Sequence, residues 1–108
     1  MEGIVTRLEK MGDAIAPYAK ARAERVYIEN FLRSQKAILM QTAPEECVTI
    51  ASKEAYAYSH PEYIKQLEGL KQAVEIEETD KWTLEHFKIQ FEYWRTCQAN
   101  DRFMRDRV

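Results

Sequence analysis

The second half of the chain predicts one uninterrupted helix, because it contains no glycine after Gly69 and no proline after Pro61. We therefore expect a helix from Ser59 to the carboxy terminus. At about 100° per residue, residues 81–105 of such a helix have apolar stripes on two opposite sides. The first stripe consists of Leu84, Phe87, Phe91 and Trp94, and the second stripe of Trp82, Ile89, Tyr93, Cys97 and Met104. A surface helix needs only one apolar stripe, so this helix is expected to pack between two elements or to meet a second chain as well.

Length and composition favour a single folded helical domain over residues 1–108. Hydrophobic residues make up 45% of the 108 residues, and three glycines with three prolines leave little sequence for long loops. Charged residues make up 31%, with both signs interspersed, which is typical of the exposed sides of long helices. The net charge is −6 over residues 42–80 and +2 on each side of that segment.

Two similar segments predict helix boundaries. Thr42-Ala43-Pro44-Glu45 and Ser59-His60-Pro61-Glu62 each place a hydroxyl three residues before a glutamate, with proline in the first turn. In a capping box the hydroxyl accepts a hydrogen bond from a free backbone N–H, and the glutamate returns to the N–H of the cap residue. Proline is tolerated there because the first N–H groups of a helix have no partner within the helix. Each segment is therefore predicted to end one helix and begin the next.

The amino-terminal half predicts further helices. Tyr18–Gln41 has a broad apolar side, which consists of Tyr27, Ile28, Phe31, Leu32, Ile38 and Leu39. An earlier stripe of Ile4, Leu8, Met11 and Ile15 does not continue in the same phase, so a break or kink is expected near Gly12-Asp13 or Pro17. Glu46–Tyr58 is predicted as a short helix, with a strand over Val48-Thr49-Ile50 as the alternative.

Together these elements predict an all-α fold. The expected architecture is an antiparallel helical hairpin with a short connecting helix and a long carboxy-terminal helix, similar to a coiled coil. The amino-terminal helices would cover the first stripe of the long helix. The second stripe predicts a homodimer interface, because a large exposed apolar patch usually marks an interface and twofold association is its commonest form. The alternative is that another helix of the same chain covers it.

The carboxy-terminal basic residues are candidates for nucleic-acid contact. They are Lys88, Arg95, Arg102, Arg105 and Arg107, with Trp94 and Phe103 nearby. Arginine neutralises phosphates, and aromatic rings stack on unpaired bases. Asp101 and Asp106 dilute this positive charge, and cations near the end of a helix also interact favourably with its dipole. Nucleic-acid binding is therefore the second hypothesis for this end of the chain.

The sequence gives no catalytic or metal-binding pattern. The acidic run at residues 75–80 is interpreted as a solvated side of the helix, since adjacent acids on a helix point in different directions. His60 lies in a capping segment, and His86 lacks the second histidine of the His-Glu-x-x-His zinc pattern. We expect no enzymatic activity, no cofactor and no bound metal. Cys47 and Cys97 are expected to be free thiols, and a cytoplasmic location without membrane association is expected.

Residues 54–102 resemble small bacteriophage-encoded helical accessory proteins of unassigned function. The resemblance is carried by Glu54-Ala55, Ser59-His60-Pro61-Glu62-Tyr63, Gly69-Leu70, Ala73, Trp82, Phe91-Glu92-Tyr93-Trp94-Arg95-Thr96 and Ala99-Asn100-Asp101-Arg102. It implies an early phage accessory protein in the host cytoplasm, acting near recombination or replication proteins or against a host defence. The expected function is a self-associating, non-enzymatic module that binds a protein partner not identified by the sequence. The alternative is a single-stranded DNA- or RNA-binding accessory protein.

Overall fold

The computed structural model describes residues 2–106, which form three helices and no strand. Helix α1 is Glu2–Gln41, α2 is Ile50–Ser59 and α3 is Pro61–Asp106. The prediction of an all-α antiparallel hairpin with a short connecting helix and a long carboxy-terminal helix is confirmed. None of the helices in this described range has the length and apolar content required to cross a lipid bilayer.

Contacts between the helices divide the chain into two units. One unit combines the part of α1 up to Lys20 with the part of α3 from Glu78 onward. The other unit is Ala21–Glu77, which contains the rest of α1, all of α2 and the first part of α3. Both long helices continue through the boundary, so each unit takes one segment from each of them.

Helix α3 has one side of reduced exposure along most of its length. This packed side has alternating spacings of three and four residues, and it consists of Tyr63, Gln66, Leu70, Ala73, Glu77, Asp80, Leu84, Phe87, Phe91, Trp94 and Gln98. An average period of 3.5 residues is the repeat of helices that pack as coiled coils. The predicted first stripe lies entirely within this side, between Leu84 and Trp94. The packed side of α3 therefore extends well beyond the segment that its large apolar residues reveal.

The break that was expected in α1 is absent from the described residues, because Gly12, Asp13 and Pro17 all lie inside one continuous helix. Its less exposed residues continue in one phase through this region. Ala14 and Tyr18 turn inward, whereas Leu8 and Ile15 are exposed. The expected change of phase was therefore wrong, because a small alanine occupies a packed position and two large apolar residues do not.

The first predicted capping segment does not begin a helix. The Thr42 hydroxyl donates to the carbonyl oxygen of Leu39 at 3.0 Å, so it closes the end of α1. Helix α2 begins at Ile50, and its capping box pairs Thr49 with Ser52, each side chain bonding to the backbone of the other residue. The predicted short helix thus starts four residues later than Glu46, and the β-branched segment contains its N-cap rather than a strand.

The second predicted boundary has the right position but a different cap. Helix α3 begins at Pro61, and the Nδ1 atom of His60 accepts a hydrogen bond from the backbone N–H of Glu62 at 3.2 Å. The Ser59 hydroxyl donates backward to the carbonyl oxygens of Ala55 and Tyr56, so it completes the end of α2. His60 therefore provides the acceptor that was assigned to Ser59.

An ion pair lies in the packed side of the second unit. Arg25 donates to the Glu77 carboxylate through Nε and to the Glu29 carboxylate through Nη1, the latter at 2.9 Å. Glu77 is only 8% exposed, and these two acidic partners raise the pKa of Arg25. The acidic run at residues 75–80 is thus not a uniformly solvated surface, because one of its members turns inward to a partner on α1.

Contacts through Lys36 connect α2 to α1. The Lys36 ammonium lies 4.7 Å from the centre of the Tyr58 ring and 3.6 Å from the Glu54 carboxylate. Hydrogen bonding to Tyr58 raises the pKa of Lys36, with a smaller contribution from Glu54. Ala57, in the last turn of α2, is completely buried.

Candidate interaction face on α3

The part of α3 from residue 82 to residue 103 has an exposed face opposite its packed side. We call it the outer face, and it consists of Trp82, His86, Ile89, Tyr93, Thr96, Asn100 and Phe103. Spacings of four and three residues alternate along the whole set. The outer face therefore has the same 3.5-residue repeat as the packed side and forms a second straight seam on the same helix.

The large side chains of the outer face are solvent-accessible within the chain. Trp82 is 63% exposed, Ile89 61% and Tyr93 72%. Met104 is also exposed, whereas Cys97 is half-buried. The predicted second stripe is thus mostly uncovered by α1 or α2, although Cys97 and Met104 lie beside the seam and not in it.

Two rows with different charge border the outer face. The acidic row consists of Glu78, Glu85, Glu92 and Asp106, with Ala99 at the intervening position. The neutral row consists of Thr83, Gln90, Cys97 and Met104. Members of each row repeat at intervals of seven residues, so both rows run parallel to the seam. The outer face therefore has one negatively charged border and one uncharged border.

Tyr93 and Cys97 interact at one edge of the outer face. Hydrogen bonding to the Cys97 side chain raises the pKa of the Tyr93 phenol, which remains neutral at physiological pH. Both cysteines of the chain are free thiols, as expected. The outer face consequently has no ionised group at Tyr93 and no disulfide at Cys97.

The candidate nucleic-acid residues are only partly brought together. Lys88, Arg95 and Arg102 are exposed and lie at seven-residue intervals in one row, which Lys81 extends and which we call the basic row. Arg105 is exposed near the end of α3 but lies outside this row, and Arg107 lies outside the described residues. The Lys88 ammonium is 3.6 Å from the Glu85 carboxylate, so the acidic row partly neutralises the basic row beside it.

Two aromatic residues near the basic row, Phe91 and Trp94, belong to the packed side. Arg95 and Arg102 border a shallow hollow together with Phe91 and Trp94. The rings of Phe91 and Trp94 stack on each other with their centres 6.0 Å apart, and the indole N–H of Trp94 is buried without an acceptor. These rings are therefore engaged with each other, and the arginines are the cationic groups of the hollow.

The predicted second stripe did not include every residue of the outer face. His86, Thr96 and Asn100 lie in the seam although they are polar, and Phe103 continues it toward the carboxy terminus. The signal that reveals them is the seven-residue interval that separates Trp82 from Ile89 and Thr96 from Phe103. Selection by hydrophobicity favoured Cys97 and Met104 instead, which are neighbours of the seam.

The described residues contain no cluster of three or more His, Cys, Asp or Glu side chains placed to hold a metal ion. His86 lies next to the ring of Phe87, with the two ring centres 6.4 Å apart, and His60 caps α3. A comparison with protein-family models, with curated proteins and with solved structures finds no match for this chain.

Proposed function

We propose that this chain is a non-enzymatic interaction module that associates with a second copy of itself through the outer face of α3. The observation that carries the proposal is the exposure of Trp82, Ile89 and Tyr93 in one regularly spaced seam. Leaving such side chains in water costs about 1.5–3 kcal/mol each relative to full burial. A self-complementary apolar face is the kind of surface through which identical chains commonly associate.

The exposed area of the whole chain supports the same proposal. The chain exposes 8590 Å², whereas a typical folded monomer of its 12.8 kDa mass exposes about 6300 Å². A standard interface removes about 800 Å² from each partner. Contact between two outer faces would therefore remove part of this excess surface.

Light scattering across a concentration series tests the self-association. We expect the wild-type protein to have the mass of a dimer at about 100 µM and to dissociate on dilution. In Ile89→Lys, a charge replaces the central apolar side chain of the seam, and we expect dimerisation to weaken by at least about tenfold. A wild-type protein that stays monomeric at this concentration would overturn the proposal.

Ile38→Lys is the matched control for this experiment. Ile38 is 59% exposed, nearly the same as Ile89, but it belongs to α1 in the other unit and is not a member of the outer face. The same substitution at this position changes the overall charge equally and should leave the dimer intact. Equal loss of dimer in both variants would mean that the outer face has no special role.

Nucleic-acid binding along the basic row is the second candidate. The exposed row of Lys88, Arg95 and Arg102 favours it, because exposed cations neutralise the phosphates of a nucleic acid. The adjacent acidic row and the engaged aromatic rings make it weaker than self-association. Its test is fluorescence anisotropy with a single-stranded oligonucleotide at low salt. Binding that falls with added salt and in Arg95→Ala/Arg102→Ala supports it, and absence of binding at low salt contradicts it.

A further inference from the structure

The outer face has the pattern of one strand of a two-stranded coiled coil. Its spacings divide its members into two alternating sets. In heptad notation, His86, Tyr93 and Asn100 take the a positions, because each is followed three residues later by the next member. The d positions are occupied by Trp82, Ile89, Thr96 and Phe103. The neutral row then takes the e positions and the acidic row the g positions.

We infer that the second copy lies parallel to the first and in register, so that His86, Tyr93 and Asn100 each meet their counterparts across the outer face. This inference rests on the proposed self-association and specifies its geometry. Two properties of the described residues lead to it, namely the charge of the two rows that border the seam and the position of Asn100.

The bordering rows favour the parallel arrangement. In a parallel pair, the g residues of one helix face the e residues of the other. Glu85 and Glu92 would then face the uncharged Gln90 and Cys97 of the second copy, and Ala99 would face Met104. In an antiparallel pair, g residues face g residues. Glutamates would then face glutamates, and like charges at such positions are destabilising.

Asn100 provides the second reason. A single asparagine at an a position can bond to its counterpart in a parallel pair, which fixes the register at some cost in stability. Asn100 is exposed within the chain, and it is the only carboxamide among the seven residues of the outer face. In an antiparallel pair Asn100 would instead face a different residue of the second copy. The hydrogen bond between the two Asn100 side chains would then be lost, unless the twofold axis passes close to Asn100.

Single-cysteine cross-linking tests the arrangement. The background is Cys47→Ser/Cys97→Ser, into which His86→Cys, Tyr93→Cys or Asn100→Cys is introduced separately. In a parallel pair each new thiol lies opposite its own copy, so mild oxidation should cross-link most chains in all three variants. In an antiparallel pair the three positions lie at different distances from the twofold axis, and at most one of them should cross-link.

Distances between spin labels outside the outer face provide a control, because the cysteine substitutions within the outer face could themselves disturb the contact. Nitroxide labels on Lys81→Cys or Arg102→Cys lie on the basic row. Double electron–electron resonance spectroscopy measures the distance between the labels of the two copies. A parallel pair gives short separations at both sites. In an antiparallel pair the two sites cannot both be close to their counterparts, because 21 residues between them correspond to about 30 Å of helix.

The outcomes separate this inference from the proposed function. Cross-links at two or three positions together with two short label separations support the parallel, in-register arrangement. A dimeric mass with one cross-link or none, or with a long separation at either label, overturns the inference and leaves self-association intact. A monomeric mass of the wild-type protein overturns both.

Discussion

Glu77 is the one acidic residue that α3 buries among its described residues, and Arg25 makes this burial tolerable. The carboxylate occupies a position of the packed side between Ala73 and Asp80, and the guanidinium reaches it from α1 while also bonding to Glu29. An apolar pair in the same place would give no directional preference. The ion pair has good hydrogen-bond geometry only when Arg25 of α1 lies beside Glu77 of α3, so it favours one register of the hairpin.

Removal of one member of this pair should be costly. In Glu77→Ala the guanidinium of Arg25 loses its buried partner, and we expect the midpoint of thermal unfolding to fall by roughly 5 °C or more. Circular dichroism at 222 nm measures this change. Glu78→Ala is the control, because Glu78 is the next residue and is exposed. A similar midpoint in both variants would show that the ion pair does not stabilise the fold.

His60 caps α3 through its ring nitrogen, a role usually taken by Ser, Thr, Asp or Asn. His60→Ala removes the acceptor for the backbone N–H of Glu62, and we expect a loss of about 0.5–1 kcal/mol in the free energy of unfolding. Urea denaturation measures this loss. His60→Asn restores an acceptor and should recover most of it, so a variant as unstable as His60→Ala would contradict the capping role.

At the scale of elements, α1 contains an internal proline, Pro17, near which the sequence predicted a break or kink. Pro17 cannot donate a backbone hydrogen bond, and its ring crowds the preceding turn, yet the helix continues on both sides of it. The residues that turn inward before and after Pro17 keep one phase, so the less exposed side of α1 is continuous across the proline.

Pro17→Ala is therefore expected to stabilise the protein. Pro17 is exposed, and alanine restores the missing N–H donor without a new side-chain contact. The gain should be about 1–3 kcal/mol in the free energy of unfolding, measured by urea denaturation. Ala16→Ser at the neighbouring exposed position is the control and should change stability little. A loss of stability in Pro17→Ala would mean that the packing of α1 needs the distortion that proline imposes.

The helices could be predicted where large residues and helix formers dominate, as in α3. The start of α2 could not, because Thr49 and Ser52 form a capping box without the usual glutamate or glutamine. The Thr42 hydroxyl could cap the start of a helix or bond to the end of α1. In the structure it donates to the carbonyl oxygen of Leu39 at the end of α1. The inward orientation of Ala14 was hidden because a small residue contributes little to an apolar pattern although it allows close approach of two helices.

The outer face was predicted in part for the same reason. Its tryptophan, isoleucine and tyrosine were identified by size, and the structure leaves these three exposed. The polar members His86 and Asn100 keep the seven-residue interval with Tyr93 but have no hydrophobic signal, and their exposure opposite the packed side of α3 identifies them as members of the outer face. Their assignment therefore required the burial pattern of the folded chain.

At the scale of the whole molecule, the described residues bury few large side chains. The buried apolar residues are Ala21, Leu32, Leu39, Ala57 and Ala73, so three of the five are alanines. A core of this kind contributes little hydrophobic free energy to an isolated chain. If a second copy covers the outer face, the free energy of association adds to the stability of each folded chain.

This coupling predicts that thermal stability depends on protein concentration. Because only the folded chains associate, raising the concentration from about 1 to 100 µM should raise the unfolding midpoint of the wild-type protein by several degrees. Tyr93→Lys places a charge in the seam and should have a lower midpoint that no longer depends on concentration. Ile38→Lys should retain the dependence, since Ile38 is equally apolar but lies outside the outer face. Differential scanning fluorimetry across the concentration series distinguishes these cases. A wild-type midpoint that stays constant over this range would show that the hairpin is stable without a partner and that association does not contribute to its folding.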